Sequence, residues 1–113
     1  MVLRRRTFYQ PVLFIAMYKI EILEEALDDI GELRAYDQRL VFAQIEAQLA
    51  YQPNQETRNR KRLRPNQLAE WELKIDQFRV FYDIVSEFRQ VRIVAVGYKQ
   101  GNRLFIKGQE YQL

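Results

Sequence analysis

From Met17 onward, apolar and polar residues follow two periods. Tyr18, Ile20 and Ile22 alternate with Lys19 and Glu21, the period of a half-buried strand. Leu23, Ala26, Leu27, Ile30 and Leu33 then recur at helical spacing, with Glu24, Glu25, Asp28 and Asp29 on the wet side. Acidic residues early in that helix suit its dipole, and Gly31 ends or loosens it. A second helix is predicted from about Ala35 to Tyr51, with Phe42, Ile45 and Leu49 as its apolar stripe, and Pro53-Asn54 stops it. Residues 54–68 are polar and read as one long loop, with Pro65-Asn66 as a turn signal. Trp71–Ile75 and Phe78–Ile84 alternate as strands, and Gln90–Val96 is a third, more continuously apolar and therefore central. Gly97 marks a bend, Gly101-Asn102 a turn, and Leu104–Ile106 a short last strand. The order β-α-α-β-β-β-β predicts an α+β fold, with two helices on one face of a small antiparallel sheet.

At 113 residues the chain fits one domain. Cysteine and histidine are both absent. That excludes disulfides, thiolate metal sites, Cys nucleophiles, Ser-His-Asp triads and HExxH zinc sites, so any chemistry runs on Lys, Arg, Tyr, Asp and Glu. A chain without cysteine also fits a reducing, cytoplasmic setting. Charge is lopsided: residues 1–56 carry six Lys/Arg against nine Asp/Glu, and residues 57–113 carry twelve against six. A basic C-terminal half suggests a polyanionic partner such as nucleic acid, with a merely solvated surface as the plain alternative. Arg4-Arg5-Arg6 ahead of Pro11–Ala16 imitates a secretory signal, but the apolar run is short and no A-x-A site follows. The run also falls well below the ~18 residues a membrane span needs. Residues 1–16 are therefore expected to lie outside the core, with a single domain over 17–113.

The hairpin of the two alternating strands carries the clearest candidate chemistry. A turn centred on Asp76-Gln77 sets Ile75 opposite Phe78 and Lys74 opposite Arg79. Trp71, Leu73, Ile75, Phe78, Val80, Tyr82 and Ile84 share the core face, while Glu72, Lys74, Arg79, Phe81 and Asp83 share the other. Like charges in register repel, which makes sense where an anion such as phosphate binds between them. Alternatively, Glu72 and Asp83 neutralise both cations in an exposed network. The basic stretch Arg58, Arg60, Lys61, Arg62 and Arg64 is placed to fold over the same face. Phe81 and Tyr98 are the better candidates for base stacking, Trp71 and Tyr82 belonging to the core. Gly97–Asn102 has two glycines but no phosphate-loop spacing.

The element order, the stretch Asn59–Arg64, the hairpin Trp71–Tyr82 and the tail Val96–Phe105 resemble the RelE/ParE toxins of bacterial type II toxin–antitoxin systems. The likeness covers Met17 to about Tyr111. RelE-type members cut messenger RNA on the ribosome by attack of a ribose 2′-OH on the adjacent phosphate, without a metal or other cofactor. By that likeness Lys74 aids proton abstraction or stabilises charge, Arg79 holds the scissile phosphate, and Lys99 stands where RelE has an arginine near the leaving group. Glu72 replaces a second lysine and becomes the candidate base. Phe105 falls near the RelE tyrosine and lacks its hydroxyl. The expected catalytic set is thus Lys74, Arg79, Lys99 and Glu72, with no metal. The expected RNA-binding set is Arg60, Lys61, Arg62, Arg64, Phe81, Tyr98 and Arg103. The resemblance further implies a cognate antitoxin as partner, messenger RNA and the ribosome as targets, and no membrane. Gyrase inhibition of the ParE type and a degenerate antitoxin-binding module are the alternatives.

Overall fold

The alternation after Met17 becomes β1 (Lys19–Ile22), and the two helical repeats become α1 (Glu24–Gly31) and α2 (Ala35–Leu49). The computed structural model describes residues 17–113, so expectations for residues 1–16 lie outside it. After α2 come β2 (Arg60–Arg62), β3 (Trp71–Ile75), β4 (Phe78–Val85), β5 (Gln90–Gln100), β6 (Arg103–Ile106) and β7 (Gln109–Glu110). They form one sheet in the order β2-β3-β4-β5-β6-β7. All neighbours in that order are antiparallel, while β1 runs parallel to β5 from Lys19↔Gln90 to Ile22↔Ile93. Eleven residues make β5 long enough to serve both β1 and, near its far end, β6 through Tyr98↔Phe105.

Both helices cover one face of the sheet. Ala26 and Ile30 of α1 and Val41, Ile45 and Leu49 of α2 pack on Trp71, Leu73, Val80, Tyr82, Val91, Ile93 and Val96. Fully burying a large aliphatic or aromatic side chain contributes roughly 1.5–3 kcal/mol, so this layer dominates the stability. Two stripe residues stand elsewhere than expected: Leu27 is 45% exposed and Phe42 40%. Each helix also buries an aspartate, Asp29 and Asp37. Asp29 turns inward because its Oδ2 accepts a hydrogen bond from the Val96 N–H (3.0 Å) while Lys107 Nζ donates to its Oδ1. Val96 lies between the last β1 pairing and the first β6 pairing on the β5 edge, so Asp29 fills a gap in the ladder.

A second, smaller apolar cluster lies on the opposite face: Phe81, Ala95, Leu104, Ile106 and Ala69, flanked by Leu63, Leu68, Val94 and Tyr111. A β-bulge adds Ala95 to it. Phe81 pairs Ala95 while Tyr82 pairs Ile93, leaving Val94 unopposed. The bulge reverses the alternation of β5, so Val91 and Ile93 face the helices before it and Val96 after it. That explains why residues 93–96 read as continuously apolar.

Two expectations change here. The polar stretch 54–68 contains a strand, β2, held by the Thr57 hydroxyl, which accepts from Arg60 N (3.1 Å). The central strand does not bend at Gly97 but continues to Gln100. Glycine is needed at position 97 for close approach, since a Cβ there would lie 2.5 Å from the Phe105 carbonyl oxygen. Among the described residues, no helix is long and apolar enough to cross a membrane.

Candidate nucleic-acid interface

The β3–β4 hairpin turns at Asp76-Gln77 with Ile75 opposite Phe78 and Lys74 opposite Arg79, as the alternation requires. Asp76 takes a left-handed φ of 53°, a conformation that aspartate tolerates better than most residues. The two opposed cations are not equivalent. Lys74 is exposed and makes no ion pair among the described residues. Arg79 folds back on its own hairpin: Nη1 donates to the carbonyls of Asp76 (2.8 Å) and Phe78 (2.9 Å), and Nε lies 3.7 Å from Glu72 Oε2. Asp83 takes no part in this network, because its Oδ1 accepts from the Glu70 N–H at 2.8 Å.

Beside the hairpin an open cleft of about 740 Å³ runs between the β2–β3 connection and the β6–β7 end of the sheet. Lys61, Arg62, Arg64, Glu72, Lys99 and Arg103 line it, and Lys74 and Arg79 stand outside it. Among the described residues the cleft therefore gathers five cationic side chains around two acidic ones, Glu72 and Glu110. Glu72 lies across the β2–β3 ladder from Lys61. Glu110 is already engaged by Arg103, Nη2 to Oε1 at 2.9 Å. That hydrogen bond holds the Glu110 carboxyl below its ordinary range and raises the Arg103 guanidinium above its own. Asn66 shapes the cleft wall, its side-chain oxygen accepting from the N–H groups of Leu68 and Ala69 and its amide donating to Arg64 O and Ala69 O.

Three residues expected to bind RNA are placed otherwise. Arg60 caps α2 instead: Nη1 donates to Gln48 O (2.8 Å) and Nε to Gln55 O (3.0 Å), a favourable place for a cation. Its charge also opposes the effect of burial on Tyr82, whose phenol is pushed well above its ordinary value and donates to Pro53 O at 2.8 Å. Phe81 does lie on the face away from the helices, but the second apolar cluster buries it completely, so no base can reach it. Tyr98 faces the helices and stacks on Phe105, with ring centroids 5.5 Å apart and 14° between planes. Arg62 keeps a place at the cleft edge with its guanidinium 5.7 Å from the Trp71 ring centroid. Tyr111 was not among the expected site residues, yet it lines the cleft. Its backbone N–H donates to Leu104 O at 2.8 Å, after a turn in which Lys107 and Gly108 both have positive φ.

A model of the ParE toxin of type II toxin–antitoxin systems (parDE) matches residues 20–102. The chain belongs to this family. As a ParE-family protein, within the wider RelE/ParE superfamily, it is a toxin of a type II toxin–antitoxin system. Its fold is similar to that of a chain in the RelBE2 toxin–antitoxin complex of Mycobacterium tuberculosis, with a TM-score of 0.66 and 21% identity over 74% of this chain and 93% of that one. It is also similar to a chain of the archaeal RelE–RelB complex of Pyrococcus horikoshii OT3, with a TM-score of 0.60 and 16% identity over 76% of this chain and 98% of that one. At such identities the likeness carries the fold alone. No curated protein sequence matches the chain.

Proposed function

We propose that this ParE-family toxin cleaves messenger RNA, engaged on the ribosome, by holding its backbone in the basic cleft. Support comes above all from one observation: Glu72 lines a cation-rich cleft, with Lys61 across the ladder and Arg79 Nε at 3.7 Å. A carboxylate so placed can accept the ribose 2′-OH proton as that oxygen attacks the adjacent phosphorus. The O2′–P bond forms and the P–O5′ bond breaks; the departing O5′ takes a proton from water, to which Glu72 returns its own, and the products carry a 2′,3′-cyclic phosphate and a 5′-hydroxyl. Lys99 and Lys61, with Lys74 at the hairpin end, would stabilise the charge that grows on the phosphoryl oxygens. Arg64 and Arg103 would hold flanking phosphates. A cognate antitoxin that covers the cleft is the matching partner, and the cytoplasm is where such a pair would act.

A second reading, inhibition of DNA gyrase without catalysis, has its own support. The matching family model is that of ParE, and the Arg79 guanidinium is engaged by its own hairpin rather than open to a ligand. Induced expression followed by mapping of RNA 5′ ends tests the first reading, and a supercoiling assay with purified gyrase tests the second. New 5′-hydroxyl ends with unimpaired supercoiling support cleavage. Inhibited supercoiling with intact messenger RNA overturns it in favour of gyrase.

A further inference from the structure

We propose that Tyr111 is the platform on which the cleft stacks an unpaired nucleobase, so that its ligand is single-stranded RNA. This rests on the cleft being an RNA interface, and it names the form of RNA that the cleft selects. Cations alone would grip any phosphate backbone, duplex or single strand. Selection for single strands requires an aromatic surface beside them, because only unpaired bases expose their faces. Phe81 and Tyr98 are unable to provide it, the first being buried and the second facing the helices. Among the described residues, Tyr111 is the one aromatic that lines the cleft.

Its setting suits the task. The ring is half-buried, backed by the cluster of Phe81, Ala95 and Leu104, and it borders the open cleft. The Tyr111 N–H bond to Leu104 O fixes its backbone, so little freedom is lost when a base stacks. Lys99 and Arg103 share the cleft with it, which places cations for the phosphates beside a surface for the base. An aromatic stack of this kind contributes about 1–3 kcal/mol per base.

Fluorescence anisotropy with a labelled oligouridylate of about a dozen nucleotides, and with a duplex RNA of equal length, provides the test. The full-length protein carries Glu72→Gln throughout, to suppress cleavage. Tyr111→Leu is expected to weaken single-strand binding roughly 5- to 150-fold, to leave duplex binding unchanged, and to keep the salt dependence. Tyr111→Phe is expected to bind as the parent does, because stacking needs the ring and not the hydroxyl. Lys99→Gln is expected to weaken both ligands and to reduce the salt slope. Thermal unfolding of each variant establishes that the fold is kept, and Tyr111→Trp restores binding if only the ring matters. If Tyr111→Leu leaves single-strand affinity intact while Lys99→Gln lowers it, the stacking role is wrong and the RNA cleft survives. If Tyr111→Phe loses as much as Tyr111→Leu, the stacking role is also wrong. If neither Tyr111→Leu nor Lys99→Gln changes binding, the RNA cleft itself is overturned.

Discussion

Glu72 Oε2 and Arg79 Nε lie 3.7 Å apart on neighbouring strands, with only 15% and 12% of their side chains exposed. The acid and the arginine of the candidate site are thus partners before any ligand arrives. Each limits the other: Glu72 reduces the attraction of the cleft for phosphate, and Arg79 holds the carboxylate against the hairpin.

Replacing Glu72 with Gln separates these effects. Glutamine keeps the shape but removes both the charge and the ability to accept a proton. RNA cleavage is expected to fall ~10²- to 10⁴-fold, while RNA affinity rises because a negative charge has left the cleft. Measuring both on the same preparation checks this. A variant that cleaves normally shows that Glu72 is not the base.

Arg79→Ala is expected to abolish growth arrest on induced expression while the protein stays folded, because Glu72, the proposed base, loses the cation that positions it. The hairpin should lose about 1–2 kcal/mol, because two carbonyl contacts vanish and Glu72 loses its partner. The urea midpoint reads the stability and the growth curve reads the toxicity. Full arrest by the folded variant removes Arg79 from the mechanism.

Gly97→Ala probes the approach of β6 to β5. The new methyl would meet Phe105 O at 2.5 Å and Ile106 Cγ1 at 2.9 Å, and a strand carbonyl moves only if the ladder opens. A loss of about 1–3 kcal/mol is expected, read as a lowered denaturation midpoint. An unchanged midpoint would show that the two strands separate at little cost.

Lys107 gives stability an alkaline limb. Its hydrogen bond to Asp29 raises its pKa above the ordinary 10.5. A group raised on folding stabilises fully below its unfolded pKa and loses that contribution as pH climbs through the folded one. The wild type should therefore lose stability above about pH 10.5. Lys107→Met should be less stable at neutral pH and show a flatter alkaline profile. Melting temperatures across that range decide it, and parallel profiles would show that the contact contributes nothing.

The hairpin was legible in the sequence because strict alternation and a two-residue turn leave one register, which fixed Lys74 opposite Arg79. The helices were legible from their period, but the inward turn of Asp29 was not, since it depends on a ladder gap formed by strands distant in sequence. The second apolar cluster was hidden for a related reason. Nothing local announces a bulge at Val94, and without it neither the facing of Tyr98 nor the burial of Phe81 follows. Reading residues 54–68 as a loop also hid the difference between Arg60 and Lys61. Once β2 pairs with β3, Lys61 lies across from Glu72 while Arg60 reaches back to α2.

β2 is also an edge strand of the sheet, and such a strand ordinarily invites another chain to zip onto it. Here that side is already closed from within. Arg60 N donates to the Thr57 hydroxyl, Thr57 N to Arg60 O, and Arg62 N to Glu56 Oε2. Arg60, Lys61 and Arg62 add three consecutive positive charges that repel the same strand of another copy. Polymerisation through this border would first have to peel residues 56–57 away, so this edge is protected against edge-to-edge aggregation.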